Sequence, residues 1–381
     1  MLLITDDIKA EAYDLGFLLA GVTLPHQPPH LAVYRRWLDS GRHGQMAYLS
    51  RPDSIQRRQN PRLIMPECQS ILSLALLYSS ALDRPEEQQT AEIRGRVAAY
   101  AWGEDYHRVI PPRLDLLAEK ISKILGRSIL QRRYTDTGAI LERDVAQEAG
   151  LGWIGKNTCL ISPNFGSFFF LSELFLDVEI EPEKAFPFDR CGSCQRCIQA
   201  CPTQCILPDR TIDATRCISY LTIENKGAIP VELRSQVGNW VFGCDICQEV
   251  CPWNLRFAPA VGDPAFAPHV DIQQPVLRKE LQLTAQSFNR KFKHSPILRA
   301  RRRGYLRNVC VALGNQPDSD AAPALASIIQ TEPEPLIRSH AAWALGKIDN
   351  PAARSALEKI LITEKDPGVR EEIRQVLAGQ T

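Results

Sequence analysis

The sequence predicts an α+β protein built from unlike parts, and three observations predict it. Helical and strand-like apolar spacings alternate over roughly the first 180 residues. Two cysteine-rich runs lie between Cys191 and Cys251. The last section holds two near-copies of one helical stretch, 307–314 (RNVCVALG) and 338–346 (RSHAAWALG), with Ala312 and Ala344 32 residues apart. The expected division is an α/β sheet domain over 1–183, a cysteine module over 184–258, a linker and basic segment over 259–303, and helical repeats over 304–381.

In the sheet domain, 4–20 and 34–49 have apolar residues at near-helical spacing, and 70–78 (SILSLALLY) reads as a short buried strand. Pro111 and Pro112 suit a first helical turn, so a helix is expected over 113–125. Residues 128–134 are strand-like, 140–148 are helical, and 168–176 with 178–180 look like a strand pair. Such alternation places helices against a sheet. The Pro-rich stretch 258–275 reads as a linker. The terminal near-copies, with a third partial copy at 369–377, read as about two stacked helix pairs of a HEAT-type solenoid, a surface for docking. A helical cap over the sheet is the simpler alternative.

The cysteine runs carry the chemistry. Cys191-x2-Cys194-x2-Cys197-x3-Cys201-Pro202 has the bacterial ferredoxin spacing for a [4Fe–4S] cluster, and Cys244-x2-Cys247-x3-Cys251-Pro252 repeats its last three positions. In two-cluster ferredoxins the cysteine before proline serves the other cluster. Cys191, Cys194, Cys197 and Cys251 are therefore expected on the first centre, and Cys201, Cys244 and Cys247 on the second. Cys217 is the natural fourth ligand, placed before a 26-residue insertion where the module should meet the sheet domain; Cys205 competes with it. Cys68, Cys159 and Cys310 read as small buried residues. Zinc is the rival for paired cysteines, but two runs each closed by Cys-Pro favour iron–sulfur.

Twelve cysteines without a secretory pattern at the N-terminus point to metal in a reducing, cytoplasmic setting. No apolar run approaches the roughly 20 residues that span a bilayer. Net charge is +1, yet Arg290, Lys291, Lys293, His294, Arg299, Arg301, Arg302, Arg303 and Arg307 cluster within one stretch. That block suits either phosphate contacts or a solvated helix face.

Four further motifs stand in order along the chain: 101–107 (AWGEDYH), 136–143 (DTGAILER), 149–157 (AGLGWIGKN) and 217–224 (CISYLTIE). Together with the cysteine spacings and the order of parts, they resemble the epoxyqueuosine reductase family, related to corrinoid reductive dehalogenases, over essentially the whole chain. The resemblance implies a cobalamin-dependent enzyme, its cobalt base-off and fed by both clusters as cob(I)alamin, that converts epoxyqueuosine at the tRNA wobble position to queuosine and water. No Asp-x-His-x-x-Gly run for a histidine ligand to cobalt is present.

The family's proton-donating Asp matches Asp136, whose pKa a desolvating corrin should raise. As turn chemistry alone, Asp136 would instead cap a helix beginning near Ala139. Tyr106 and His107 are candidates for holding the base or passing protons. Arg58 matches the family's corrin-contacting Arg, and Ser219, Thr222, Lys226, Gly243 and Asp245 are further candidate corrin contacts. Ala139 departs from the Pro of many relatives. The implied partners are tRNA and an external low-potential electron donor, with no membrane association and a monomeric state. The alternatives are a dehalogenase-like corrinoid reductase of a small molecule, which has no use for the repeats and basic block, and a ferredoxin-type electron-transfer subunit, which leaves the Asp136 region unexplained.

Overall fold

In the computed structural model, which describes residues 2–78, 92–316, 318–348 and 350–379, the chain opens with α1 (Leu2–Asp14) and enters β1 (Leu19–Thr23) after a short turn. The apolar run expected as one helix over 4–20 is thus a helix followed by a strand. Helix α2 (Leu31–Asp39) stops well short of 49, where the Ser40 hydroxyl folds back onto the Arg36 carbonyl at 2.7 Å. Then follow α3 (Pro52–Gln59), β2 (Ser70–Leu77), β3 (Arg96–Val97), α4 (Tyr106–Leu125), β4 (Gln131–Tyr134), α5 (Glu142–Glu148), β5 (Trp153–Ile154), β6 (Leu160–Ile161) and β7 (Phe169–Leu176).

The main sheet has the order β1-β2-β7-β4 and is antiparallel throughout. Both edges of β7 are occupied, by β2 and β4, so residues 178–180 find no place as its hairpin partner and lie outside the strands. One sheet face buries Leu72, Leu74, Leu174 and Leu176 with Ile8, Ile110 and Leu114 of α1 and α4. The other packs Ile71, Ala75, Phe169 and Phe175 against Val145 and Ala146 of α5. Helix α4 starts at Tyr106 and carries Pro111 and Pro112 inside it. The Asp105 side chain caps it, accepting the His107 N–H at 3.0 Å. The prolines therefore sit within the helix and leave the His107 and Arg108 carbonyls without helical partners.

The cysteine module holds α6 (Arg196–Ala200), α7 (Ile218–Ile223), α8 (Val231–Val237), β8 (Trp240–Phe242), α9 (Ile246–Glu249) and α10 (Pro252–Phe257). Its insertion between Cys217 and Cys244 is the joint of the protein. There β8 pairs in parallel with β3, and Ile218, Leu221, Leu233 and Trp240 enter the same apolar core as the sheet domain.

Beyond it, α11 (Val270–Gln273), α12 (Leu277–Glu280) and α13 (Ala285–Lys291) make the expected linker a strap, tied to the sheet domain by the Arg94–Val276 bridge. Five helices close the chain: α14 (Arg301–Asn315), α15 (Ala322–Thr331), α16 (Pro335–Gly346), α17 (Pro351–Thr363) and α18 (Pro367–Leu377). The two self-similar stretches are α14 and α16, packed on each other.

The basic block is partly structural. Arg307 is wholly buried and donates to the carbonyls of Leu221 (2.5 Å), Asn225 (2.8 Å) and Gly227 (2.6 Å). Arg302 pairs with Glu332, Arg303 with Glu334, Arg299 with Glu224 and Lys291 with Glu280. Among the described residues of the block, Arg290, Lys293 and Arg301 are exposed and outside any ion pair.

Candidate active site and iron–sulfur centres

Cys191, Cys194, Cys197 and Cys251 line one cavity of about 330 Å³, walled by Ile161, Trp253 and Phe257. Four thiols around an apolar space form the donor set a cubane cluster takes. The Cys251-Pro252 pair has a local reason: Cys251 precedes α10 and Pro252 occupies its first turn, where a missing N–H costs nothing. The 149–157 motif grips these loops from the sheet domain. Lys156 Nζ donates to the carbonyls of Gly192 (2.7 Å) and Cys194 (2.8 Å), and Asn157 Nδ2 to that of Cys247 (3.4 Å).

The second group of thiols is larger than four. Cys201 Sγ lies 3.5 Å from Cys205 Sγ, and the buried Cys205 thiol also meets Cys217. Cys244 lies near Cys217, and Cys247 meets Cys159. Cys159, expected as a mere buried residue, is a thiol of this group; its sequence context, in a strand motif far from the runs, gave no sign of it.

Asp136 follows β4 on the loop to α5. Its φ of 55° lies in the left-handed region, which Asp tolerates better than most residues. Since α5 begins at Glu142 with Leu141 preceding it, Asp136 caps no helix. Its backbone N–H donates to Glu142 Oε1 at 2.6 Å, and its Oδ2 accepts the Tyr106 O–H at 2.7 Å. The Tyr106 ring is stacked on Phe170, with centroids 4.4 Å apart. Burial, and then the Asp136 charge, push the Tyr106 phenol far above its usual range, so it remains a donor. His107 stands beside Tyr106, ring centroids 4.0 Å apart, with Nδ1 2.8 Å from Asp105 Oδ1. The Asp136 carboxyl is exposed and faces the intercluster segment: Tyr48 and Tyr100 each lie within electrostatic range of both Asp136 and Glu224.

Arg58 is buried over the Tyr34 ring, 5.4 Å from its centroid, with one long bond to the Ser54 carbonyl (3.4 Å). A guanidinium with most of its donors uncommitted suits an amide or phosphate ligand. Thr222 and Asp245 have buried side chains committed to backbone groups. Thr222 is fully buried, donating to the Ile218 carbonyl (2.8 Å) and accepting the Gly243 N–H (2.9 Å). Asp245 is buried and accepts the Ala99 N–H at 2.7 Å. They shape backbone. Gly243 has φ 67°, and a Cβ there would stand 2.5 Å from the Ala98 Cβ, so only glycine fits. Lys226 Nζ donates to the Ile223 carbonyl (2.7 Å), and Ser219 is half-buried at the start of α7.

A sheet domain with an acid on an exposed loop, knitted to a two-centre cysteine module and backed by helical repeats, defines an iron–sulfur oxidoreductase. Residues 190–254 match the family model for a 4Fe-4S double cluster binding domain, 296–378 that for HEAT repeats, and 58–137 that described as Epoxyqueuosine reductase QueG, DUF1730. The chain is 38% identical to the epoxyqueuosine reductase of Pseudomonas aeruginosa over 342 residues, 90% of this chain and 94% of that one. An epoxyqueuosine reductase solved with an epoxyqueuosine-modified tRNA-Tyr stem loop superposes with TM-score 0.91 at 33% identity, covering 100% and 99% of the two chains. The Bacillus subtilis enzyme, solved with its catalytic aspartate loop swung out of the active site, gives TM-score 0.90 at 33% identity, covering 99% of each. The chain belongs to the epoxyqueuosine reductase family.

Proposed function

We infer that this protein reduces epoxyqueuosine in tRNA to queuosine, consuming two electrons and two protons and releasing the epoxide oxygen as water. The observation that carries the reading is the exposed Asp136 carboxyl, fixed by Tyr106 and within electrostatic range of Tyr100, which also feels Glu224 of the segment joining the two thiol groups. Bound there, two [4Fe–4S] clusters would supply single electrons and a base-off corrinoid the strongly reducing nucleophile that opens a C–O bond without hydrolysis. Cys191, Cys194, Cys197 and Cys251 hold one cluster, and Cys201, Cys217, Cys244 and Cys247 the other. Arg58 would hold a polar group of the corrinoid, and Gly243, with no side chain, would leave its backbone open to it.

Asp136 delivers a proton to the departing oxygen, with Tyr106 orienting it and His107 beside the entry. The reacting base must leave its stack to reach the acid. The electron donor is an external low-potential carrier, and the protein acts as a monomer in the cytoplasm. Among the described residues no helix is long and apolar enough to cross a membrane.

Cys217 and Cys205 are separated by iron analysis. Cys217→Ala should lower iron from about eight to about four atoms per chain, while Cys205→Ala keeps both clusters; the reverse pattern would reassign the ligand. For tRNA, the exposed Arg290, Lys293 and Arg301 supply phosphate contacts. Replacing all three with Gln should weaken stem-loop binding about tenfold or more at low salt. It should flatten the slope of log K against log[salt] by roughly two to three, with iron and corrinoid content unchanged. An unaltered slope would remove these residues from the interface.

A further inference from the structure

Beneath the Asp136 loop lies a pair of carboxyls that the reaction does not use. Glu173, in the middle of β7, is fully buried, and neither of its oxygens meets a hydrogen-bond donor among the described residues. Ser73, its partner in the β2 register, is equally buried with an unpaired hydroxyl. The neighbour of Glu173 is the carboxyl of Glu142, the first residue of α5, which already accepts the Asp136 backbone N–H. A buried carboxyl facing another cannot be ionised alongside it, and a buried polar atom left without a donor is costly. One proton shared between the two removes both penalties, since it is the missing donor.

We propose that Glu142 and Glu173 form a proton-sharing carboxylic acid–carboxylate pair whose Glu142 member latches the Asp136 loop in its inward position, which makes Glu142 a positioning residue for the acid. The latch rests on the reading of Asp136 as the proton donor only for its purpose, not for its existence. Its geometry is local: the bond from Asp136 N–H to Glu142 holds the left-handed turn at φ 55°, the turn that aims the carboxyl at Tyr106. A loop of this kind moves in a relative, solved with its catalytic aspartate loop swung out. The charged groups within range of the pair are Asp136, whose negative charge opposes ionisation, and Arg143, whose positive charge favours it. Burial outweighs Arg143: it pushes Glu142 up to about 8, and burial followed by the Glu142 charge holds Glu173 well above the usual carboxylate range. Below about pH 8 both carboxyls carry a proton; as pH passes about 8 Glu142 ionises while Glu173 keeps its proton, so the shared-proton pair forms there and the Asp136 N–H gains a charged acceptor that tightens the latch.

Hydrogen exchange of the residue 136 amide in the cluster-loaded protein without substrate reads the latch directly, with no turnover required. Glu142→Ala should speed that exchange at least tenfold relative to amides elsewhere on the sheet. Glu142→Gln retains an acceptor and supplies an N–H to Glu173, so it should restore protection. In the wild type, protection should rise as pH passes about 8; in Glu142→Gln, which has no carboxyl to ionise, that step should be absent, and in Glu173→Gln, whose amide donates to Glu142, it should move to lower pH. Equal exchange in the wild type and Glu142→Ala, or the same rise in protection near pH 8 in both glutamine variants, would overturn the proposal. If Glu142→Ala does not fold, the two glutamine variants decide alone. Normal exchange behaviour with no effect of Asp136→Asn on catalysis would instead leave the latch standing and remove the donor role.

Discussion

Asp136→Asn is expected to cut queuosine formation by about 10²–10⁴-fold, the range a positioned general acid contributes, while iron, sulfide and corrinoid content stay at wild-type levels. Asparagine isolates the proton. It tolerates the left-handed φ of 55° nearly as well as aspartate. Its carbonyl oxygen can still accept the Tyr106 O–H, and its backbone N–H still reaches Glu142. What it lacks is a proton to give the departing oxygen. Because the side chain is exposed in the protein itself, its cover must come from what binds over it, and the defect should therefore appear in the chemical step and not in folding. Retained turnover would remove the assignment.

Arg307→Met is expected to destabilise the protein by about 3–5 kcal/mol, the cost of several buried carbonyls losing their donor, seen as a lower urea midpoint. Methionine fills much of the volume but leaves the carbonyls of Leu221, Asn225 and Gly227 facing an apolar chain, each unmet acceptor costing about 1–3 kcal/mol. Asn308 is held in the same knot, donating to the Thr222 and Val241 carbonyls, both at 2.8 Å. Thr222 in turn carries Gly243. The repeats are thus fastened to the insertion that faces Asp136, and loosening α14 should disturb that insertion before it affects any contact with nucleic acid. An unchanged midpoint would show that the carbonyls find water instead.

Arg307 also marks what the sequence could and could not disclose. In the chain it is one of a run of cations; its role is set by carbonyls 80 to 86 residues earlier, which no local pattern reveals. The cluster ligands are legible because their spacing is a local property of the loops, whereas Cys159 joins the second thiol group only through a tertiary contact with Cys247. Asp136 stands out in a short motif, as does the Glu142 that follows it. Yet the partnership of Glu142 with Glu173 depends on β7 lying between β2 and β4, a pairing of strands far apart in sequence. The start of α4 was hidden for a simpler reason. Two prolines look like a helix beginning, but the Asp105 cap, six residues earlier than Pro111, decided it.

The most direct test is single-turnover conversion of an epoxyqueuosine-modified tRNA stem loop by the reconstituted protein under a chemical reductant, run with the wild type and Asp136→Asn, with and without cobalamin. Queuosine formed only by the cobalamin-loaded wild type is the predicted result. Equal product without cobalamin, or from Asp136→Asn at the wild-type rate, would contradict it.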